Sequence, residues 1–280
     1  MSLGEIVGRP IHRTLMRAYG VDVVIEADDE MFFERVINIA RQALVQRVQF
    51  EPVRHTTTTS KYTFVTDEHG VVHFDLGGVS VGTIDNDAAF DHFFNGVVRV
   101  HVASLAKSWV FIHAGVVERN GRAIIIPGHS RKGKTTLVGE LIRCGAGYMS
   151  DEYAVLDSDG FVHPFDRDLA VRITADQQPS PTDPASFGGK RATKPIPAGM
   201  VLFTGFVENA RWNPQTVSLG NAILDSVPEV IPISFNTEFV LKVLNTTFNR
   251  AIIVRSDRGE ARLTAPRILE FFDESIMSGG

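Results

Sequence analysis

Nine consecutive residues, Gly128-His129-Ser130-Arg131-Lys132-Gly133-Lys134-Thr135-Thr136, fit the pattern G-x-x-x-x-G-K-[ST]. Residues of these types at this spacing hold phosphate. The two glycines let the backbone curl so that successive N–H groups point inward at an anion, and a helix starting there adds its positive end. Lys134 would reach the β- and γ-phosphates, and the Thr135 hydroxyl would ligate Mg²⁺. The pattern needs a strand before it and a helix after it. The β-branched run Ala123-Ile124-Ile125-Ile126 precedes it, and Leu137 to Arg143 reads as a helix. The nucleotide expected is ATP or GTP with Mg²⁺; the competing reading is a plain glycine-rich turn.

Phosphoryl transfer calls for charge neutralisation and alignment, so a carboxylate must hold the metal and another must orient or deprotonate the attacking hydroxyl. Met149-Ser150-Asp151-Glu152 supplies two carboxylates, and Asp151 stands 17 residues after Lys134, room for one helix and one return strand. Both acids would then emerge beside the phosphates at the carboxyl end of that strand. His113, in Phe111-Ile112-His113-Ala114-Gly115, stands in a strand that pairs with the one feeding the glycine loop. It would contact a phosphate or the acidic pair if it points that way, and would be an ordinary structural histidine if it does not.

The elements that must position these groups alternate between β-branched runs and helical stretches. Trp109 to Glu118 and Arg122 to Pro127 form a hairpin across Asn120-Gly121, a strong type I′ signal. Short strands follow the loop helix at Gly147 to Met149, Tyr153 to Asp157, Phe161 to His163 and Leu169 to Ile173. The polar, proline-rich segment Ala175 to Ala198 reads as a mobile loop. Strand Met200 to Val207 leads into a mostly helical tail, broken by a strand at Ala251 to Arg255. Ahead of all this lies a mixed α+β region. It has a strand at Val21 to Ala27, a helix from Asp29 to Arg47, a hairpin from Lys61 to Leu76 and a helix from Asp87 to Lys107. The aromatic residues of those helices read as core. The domains expected are 1–107, the N-terminal α+β region, and 108–280, the P-loop domain.

Composition limits the classes further. In 280 residues, 44% hydrophobic content is ample for a core, and a formal charge of -5 gives no overall attraction to nucleic acid or an anionic membrane. The single cysteine, Cys144, excludes an internal disulfide and a cysteine-based metal site. No apolar run is long enough to span a membrane, and the N-terminus lacks an apolar signal core, so a cytoplasmic protein is expected.

The string FIHAGVVERNGRAIIIPGHSRKGKTTLVGELIRCGAGYMSDEYAVLD, followed by VHPFDRDLAVR, resembles the HPr kinase/phosphorylase-related proteins. The P-loop core of that family is shared with phosphoenolpyruvate carboxykinase. The resemblance covers about Trp109 to Arg172. It implies an α/β (α+β) fold with a P-loop core of that type, and a kinase that phosphorylates a hydroxyl, Ser or Thr of a small protein or peptide. It assigns phosphate and Mg²⁺ roles to Lys134 and Thr135, the catalytic base to Asp151, the second acid to Glu152 and the active-site histidine to His113. Glu152 departs from the usual second Asp, and Arg131 and Lys132 replace small loop residues. No glycine-rich signature follows the acids, which points away from HPr itself and toward the related kinases, some of which act on peptide natural products. Relatives form oligomers, so a homo-oligomer is implied, although no residue pattern demands one. The alternatives are a non-catalytic nucleotide sensor and a small-molecule kinase.

Overall fold

The computed structural model describes residues 11–45, 47–54, 58, 60–84, 87–128, 133–165, 167–171, 180–234 and 236–278. It is a mixed α/β structure with six α-helices among the described residues. The chain divides into two compact units, Met1–Lys107 and Ser108–Gly280.

In the first unit, strands β1 (His12–Ala18), β2 (Val21–Ala27), β3 (Gln49–Glu51), β4 (Lys61–Thr66), β5 (Val72–Leu76) and β6 (Val79–Ile84) form a sheet in the order β3-β1-β2-β4-β5-β6. All neighbours are antiparallel except β2 and β4, whose parallel pairing is bridged by helix α1 (Glu30–Ala43). Asp29 caps α1 by accepting from the Phe32 N–H, and Val45, with φ of 48°, ends it before the expected Arg47. Helix α2 (Asp87–Leu105) packs on α1. Phe90 and Phe94 of α2 meet Phe64 of the sheet at ring distances of 6.0 and 5.3 Å, Phe94 meets Phe74 at 5.6 Å, and Phe64 stacks on Phe74 at 4.8 Å, a buried aromatic core.

In the second unit, β7 (Val110–Arg119) and β8 (Arg122–Pro127) form the expected hairpin, with Asn120 and Gly121 at φ of 52° and 72°. Helix α3 (Lys134–Arg143) follows, then β9 (Gly147–Ser150), β10 (Tyr153–Leu156), β11 (Phe161–His163), β12 (Leu169–Val171), β13 (Ser180–Thr182) and β14 (Ile196–Phe203). The tail holds β15 (Gln215–Thr216), α4 (Leu219–Ser226), α5 (Thr237–Phe248), β16 (Ile252–Arg255) and α6 (Ala261–Ser278). The strand order is β11-β10-β7-β8-β14-β16-β15, with β9 on β7, and β11 also pairs with β14, closing a circuit. β8, β14 and β16 run parallel.

Alternation along the parallel strands makes three layers. Ile124, Ile126, Met200 and Leu202 face α3 and α6, while Ile125 and Val201 face α4 and α5. At Gly115 of β7 the helix comes so close that an added Cβ would lie 2.6 Å from Val138 Cγ2. Cys144, at the end of α3, packs on this core, and burial pushes its thiol pKa up.

One expectation is corrected. Within Ala175 to Ala198, residues from 180 onward are built into the structure. β13 pairs with β12, a 3-10 turn at Pro184–Phe187 follows, and Tyr148 exchanges backbone hydrogen bonds with Lys190 and Ala192. Phe187 lies against Gly139 of α3. The segment's low apolar content reflects an exposed position, while its backbone groups are tied to β9. Residues 175–179 of that segment, and residues 172–173 of the strand expected before it, lie outside the described residues.

Candidate functional site

The glycine loop spans the gap between β8 and α3. Gly128 and Gly133 have φ of 154° and 76°, values that a side chain would strain. Gly133 is the cap residue of α3 and offers no side chain to its first amides. Lys134 is buried, and its ammonium donates to the Gly128 carbonyl across the loop. His129, Ser130, Arg131 and Lys132 lie outside the described residues.

The two acids follow β9 directly. Ser150 Oγ accepts from the N–H groups of Glu152 and Tyr153 at 3.0 and 2.9 Å, a turn that sends consecutive carboxylates in different directions. Asp151 is buried and turns toward the loop helix: its Oδ2 accepts from the Thr135 hydroxyl at 3.3 Å, a long contact, and from the Ala170 N–H at 2.9 Å. Its Oδ1 accepts from the Tyr148 hydroxyl at 3.2 Å. Burial raises its pKa above the ordinary carboxylate value, and the charge of Glu152 adds to the rise despite the stabilising Ala170 N–H.

Glu152 faces elsewhere. With His113, Tyr153, Pro228, Glu229 and Val230 it lines a cleft of about 280 Å³, and its Oε2 lies 3.9 Å from Arg167 Nη1. His113 pairs in register with Tyr153, its carbonyl accepts from the Gly128 N–H at 3.2 Å, and its Nδ1 lies 3.8 Å from Glu229 Oε2. So the strand histidine is tied through its backbone to the first loop glycine, and its ring stands beside an acid.

A larger cavity of about 790 Å³ opens at the carboxyl ends of β8, β14 and β16, the usual position of ligands on parallel strands. Gly128, Gly133 and Thr136 wall it on the loop side, and Thr204, Phe206 and Arg258 on the other. Glu229 lines both this cavity and the smaller cleft.

The structure thus brings together Gly128, Gly133, Lys134, Thr135 and Asp151, with Thr136 on the wall of the larger cavity, while Glu152 and His113 line the smaller cleft. Sequence reasoning missed Glu229, Thr204 and Arg258. For Arg258 a signal existed: Arg255-Ser256-Asp257-Arg258-Gly259 is a second junction between a strand and a helix. For Glu229 and Thr204 there was none. Among the described residues, no group of three or more His, Cys, Asp or Glu side chains forms a metal site. The oxygen donors of Thr135 and Asp151 do fit Mg²⁺, which takes one or two carboxylates and fills its shell with phosphate oxygens and water.

No protein-family model matches the chain, and no curated protein matches it. Among similar solved structures is the HPr(Ser) kinase/phosphatase from Coxiella burnetii, at 12% identity and a TM-score of 0.30, covering 61% of this chain and 99% of that one. No helix among the described residues is long and apolar enough to cross a membrane.

Proposed function

We propose that this protein is an ATP- or GTP-dependent kinase that uses Mg²⁺ to transfer a phosphoryl group to a hydroxyl of a peptide or small protein. The observation that carries the reading is the contact of the Thr135 hydroxyl with buried Asp151, beside a loop whose lysine folds back onto its first glycine. Bound Mg²⁺ would neutralise charge on the phosphates; Thr135 and Asp151 would hold it. The loop amides and Lys134 would bind the phosphate chain.

This geometry divides the acids in the opposite sense from the family resemblance. Asp151 already receives hydrogen bonds from the Ala170 N–H and the Thr135 hydroxyl, with the Tyr148 hydroxyl 3.2 Å away, which suits a fixed ligand. Glu152 lines the cleft with His113 and Glu229, which suits a group that takes the proton of an acceptor hydroxyl lying there. A second reading, a nucleotide sensor without turnover, draws on Arg167, whose guanidinium 3.9 Å from Glu152 would compete with an acceptor hydroxyl for that carboxylate.

The test is transfer of label from γ-labelled ATP, with Mg²⁺, to a panel of serine and threonine peptides. Label on an acceptor, lost in Lys134→Ala, is the expected result. Tight nucleotide binding with no transfer to any acceptor and no ATP loss would leave the sensor reading.

A further inference from the structure

Two residues that line the larger cavity each hold a buried polar atom with no hydrogen-bond partner among the described residues: Arg258 Nε and Thr204 Oγ1. Arg258 is 3% exposed, held in the loop between β16 and α6. Its guanidinium donates to the carbonyls of Gly133 and Gly259, at 2.9 and 3.0 Å, and forms no ion pair among the described residues. Two carbonyls engage two of the five donors of a guanidinium.

Burial lowers the Arg258 pKa and the charge of Glu260 raises it in part; Glu260, Asp257, Asp225 and Glu229 also line the cavity, but none forms an ion pair with Arg258 among the described residues. A buried cation so placed is costly until an anion joins it. The nearest anion-binding device is the glycine loop itself, because Arg258 grips the carbonyl of Gly133, the last loop residue before Lys134. The cavity at this point is the size of a nucleotide-class ligand pocket. Its far wall carries the half-exposed ring of Phe206, with the Arg258 guanidinium 5.8 Å from the ring centroid.

We infer that the nucleotide lies across this cavity at the ends of β14 and β16. Arg258 serves as a second cation on its phosphate chain besides Lys134, and Thr204 hydrogen-bonds its nucleoside, which rests on Phe206. This rests on the phosphate-binding reading of the glycine loop and adds to it where the rest of the nucleotide goes. Arginine suits the role because its planar fork can engage a phosphate through two parallel bonds while another donor keeps the loop carbonyl. Phosphate binding would thereby be linked to the shape of the loop through one side chain.

The experiment is calorimetric titration of the nucleotide-free protein with ATP and, separately, with inorganic tripolyphosphate, at two salt concentrations. Lys134→Ala serves as the reference. Arg258→Gln is expected to weaken both ligands by about tenfold or more, as for a hydrogen bond to a charged group, and to flatten the salt dependence. Arg258→Lys keeps the charge without the fork and should lose less; it also decides the matter if the Gln variant does not fold. Thr204→Val should weaken ATP severalfold and leave tripolyphosphate unchanged.

Wild-type affinity for both ligands in the folded Arg258 variants, with Lys134→Ala impaired, would reduce Arg258 to a structural pin on Gly133. Equal effects of Thr204→Val on both ligands, or none on either, would overturn the placement of the nucleoside. If the wild-type protein bound neither ligand, the phosphate-binding reading of the loop would fall, and this inference with it.

Discussion

The hydroxyl of Thr135, in the first turn of α3, donates to Asp151, the residue just past the end of β9. The helix and the return strand bring the two together, because β9 runs back along β7 beneath the helix that it follows. A change at either residue should therefore be felt at the other.

Removing the Lys134 ammonium should lower nucleotide affinity by at least tenfold, about 1.4 kcal/mol. The ammonium donates to the Gly128 carbonyl of the loop, so its loss should be felt at the loop while the fold persists. Titration of Lys134→Ala with a fluorescent ATP analogue measures this; unchanged affinity would remove the loop from the nucleotide site.

Asp151 and Glu152 should separate. Asp151→Asn is expected to shift the Mg²⁺ titration to higher concentration. Glu152→Gln should leave that titration alone and slow transfer by about 10²- to 10⁴-fold, the range for a positioned general base. Metal titrations and acceptor phosphorylation of both variants, run side by side, decide it. Interchanged profiles would restore the assignment implied by the family resemblance, and identical profiles would mean the pair acts as one.

Gly115→Ala should destabilise the second unit by about 1–3 kcal/mol, the usual cost of overpacking, since the new methyl would meet Val138 Cγ2 at 2.6 Å. Adding Val138→Ala makes room and should recover part of the loss. Urea denaturation of the single and double variants checks this, and a Gly115→Ala protein as stable as wild type would show that α3 can move off β7 freely.

His101 gives the first unit a pH dependence. Its Nδ1 meets the hydroxyl of buried Tyr62 at 2.7 Å, and burial lowers its pKa from the ordinary 6.5. Protonation then costs more in the folded than in the unfolded state. The stabilisation is present above about pH 6.5 and is lost as pH falls through the lower folded value. Urea midpoints should decline between pH 7 and pH 5 less steeply in His101→Gln than in wild type. Parallel declines would contradict this.

Much of the second unit was legible because its signals are local. The Asn120-Gly121 turn and the run of isoleucines before Gly128 announce themselves within a few residues. The missed strands lacked such signals. β1 interleaves Arg13 and Arg17 with its apolar residues and turns into β2 through Tyr19 and Gly20, at φ of 52° and 75°. β6 is an exposed edge with no buried face to impose a pattern. The segment after residue 180 looked loose because composition reports apolar area and is blind to backbone pairing with Tyr148. At the site, the loop and its acids share one strand-helix-strand unit, so their spacing was readable. Arg258 reaches Gly133 across 125 residues, and only the placing of β16 beside β14 brings it there.

The Asn120-Gly121 turn has one further consequence, for how the protein ages. An asparagine followed by glycine loses its amide when the glycine nitrogen attacks the side-chain carbonyl. Here both reacting groups are occupied: the Gly121 N–H donates to Glu118 Oε1 at 2.7 Å, and the Asn120 amide donates to Asp273 Oδ1 of α6 at 2.8 Å. Deamidation thus waits for the hairpin tip to part from α6, and the mass gained by stored protein at Asn120 becomes a clock that counts those openings.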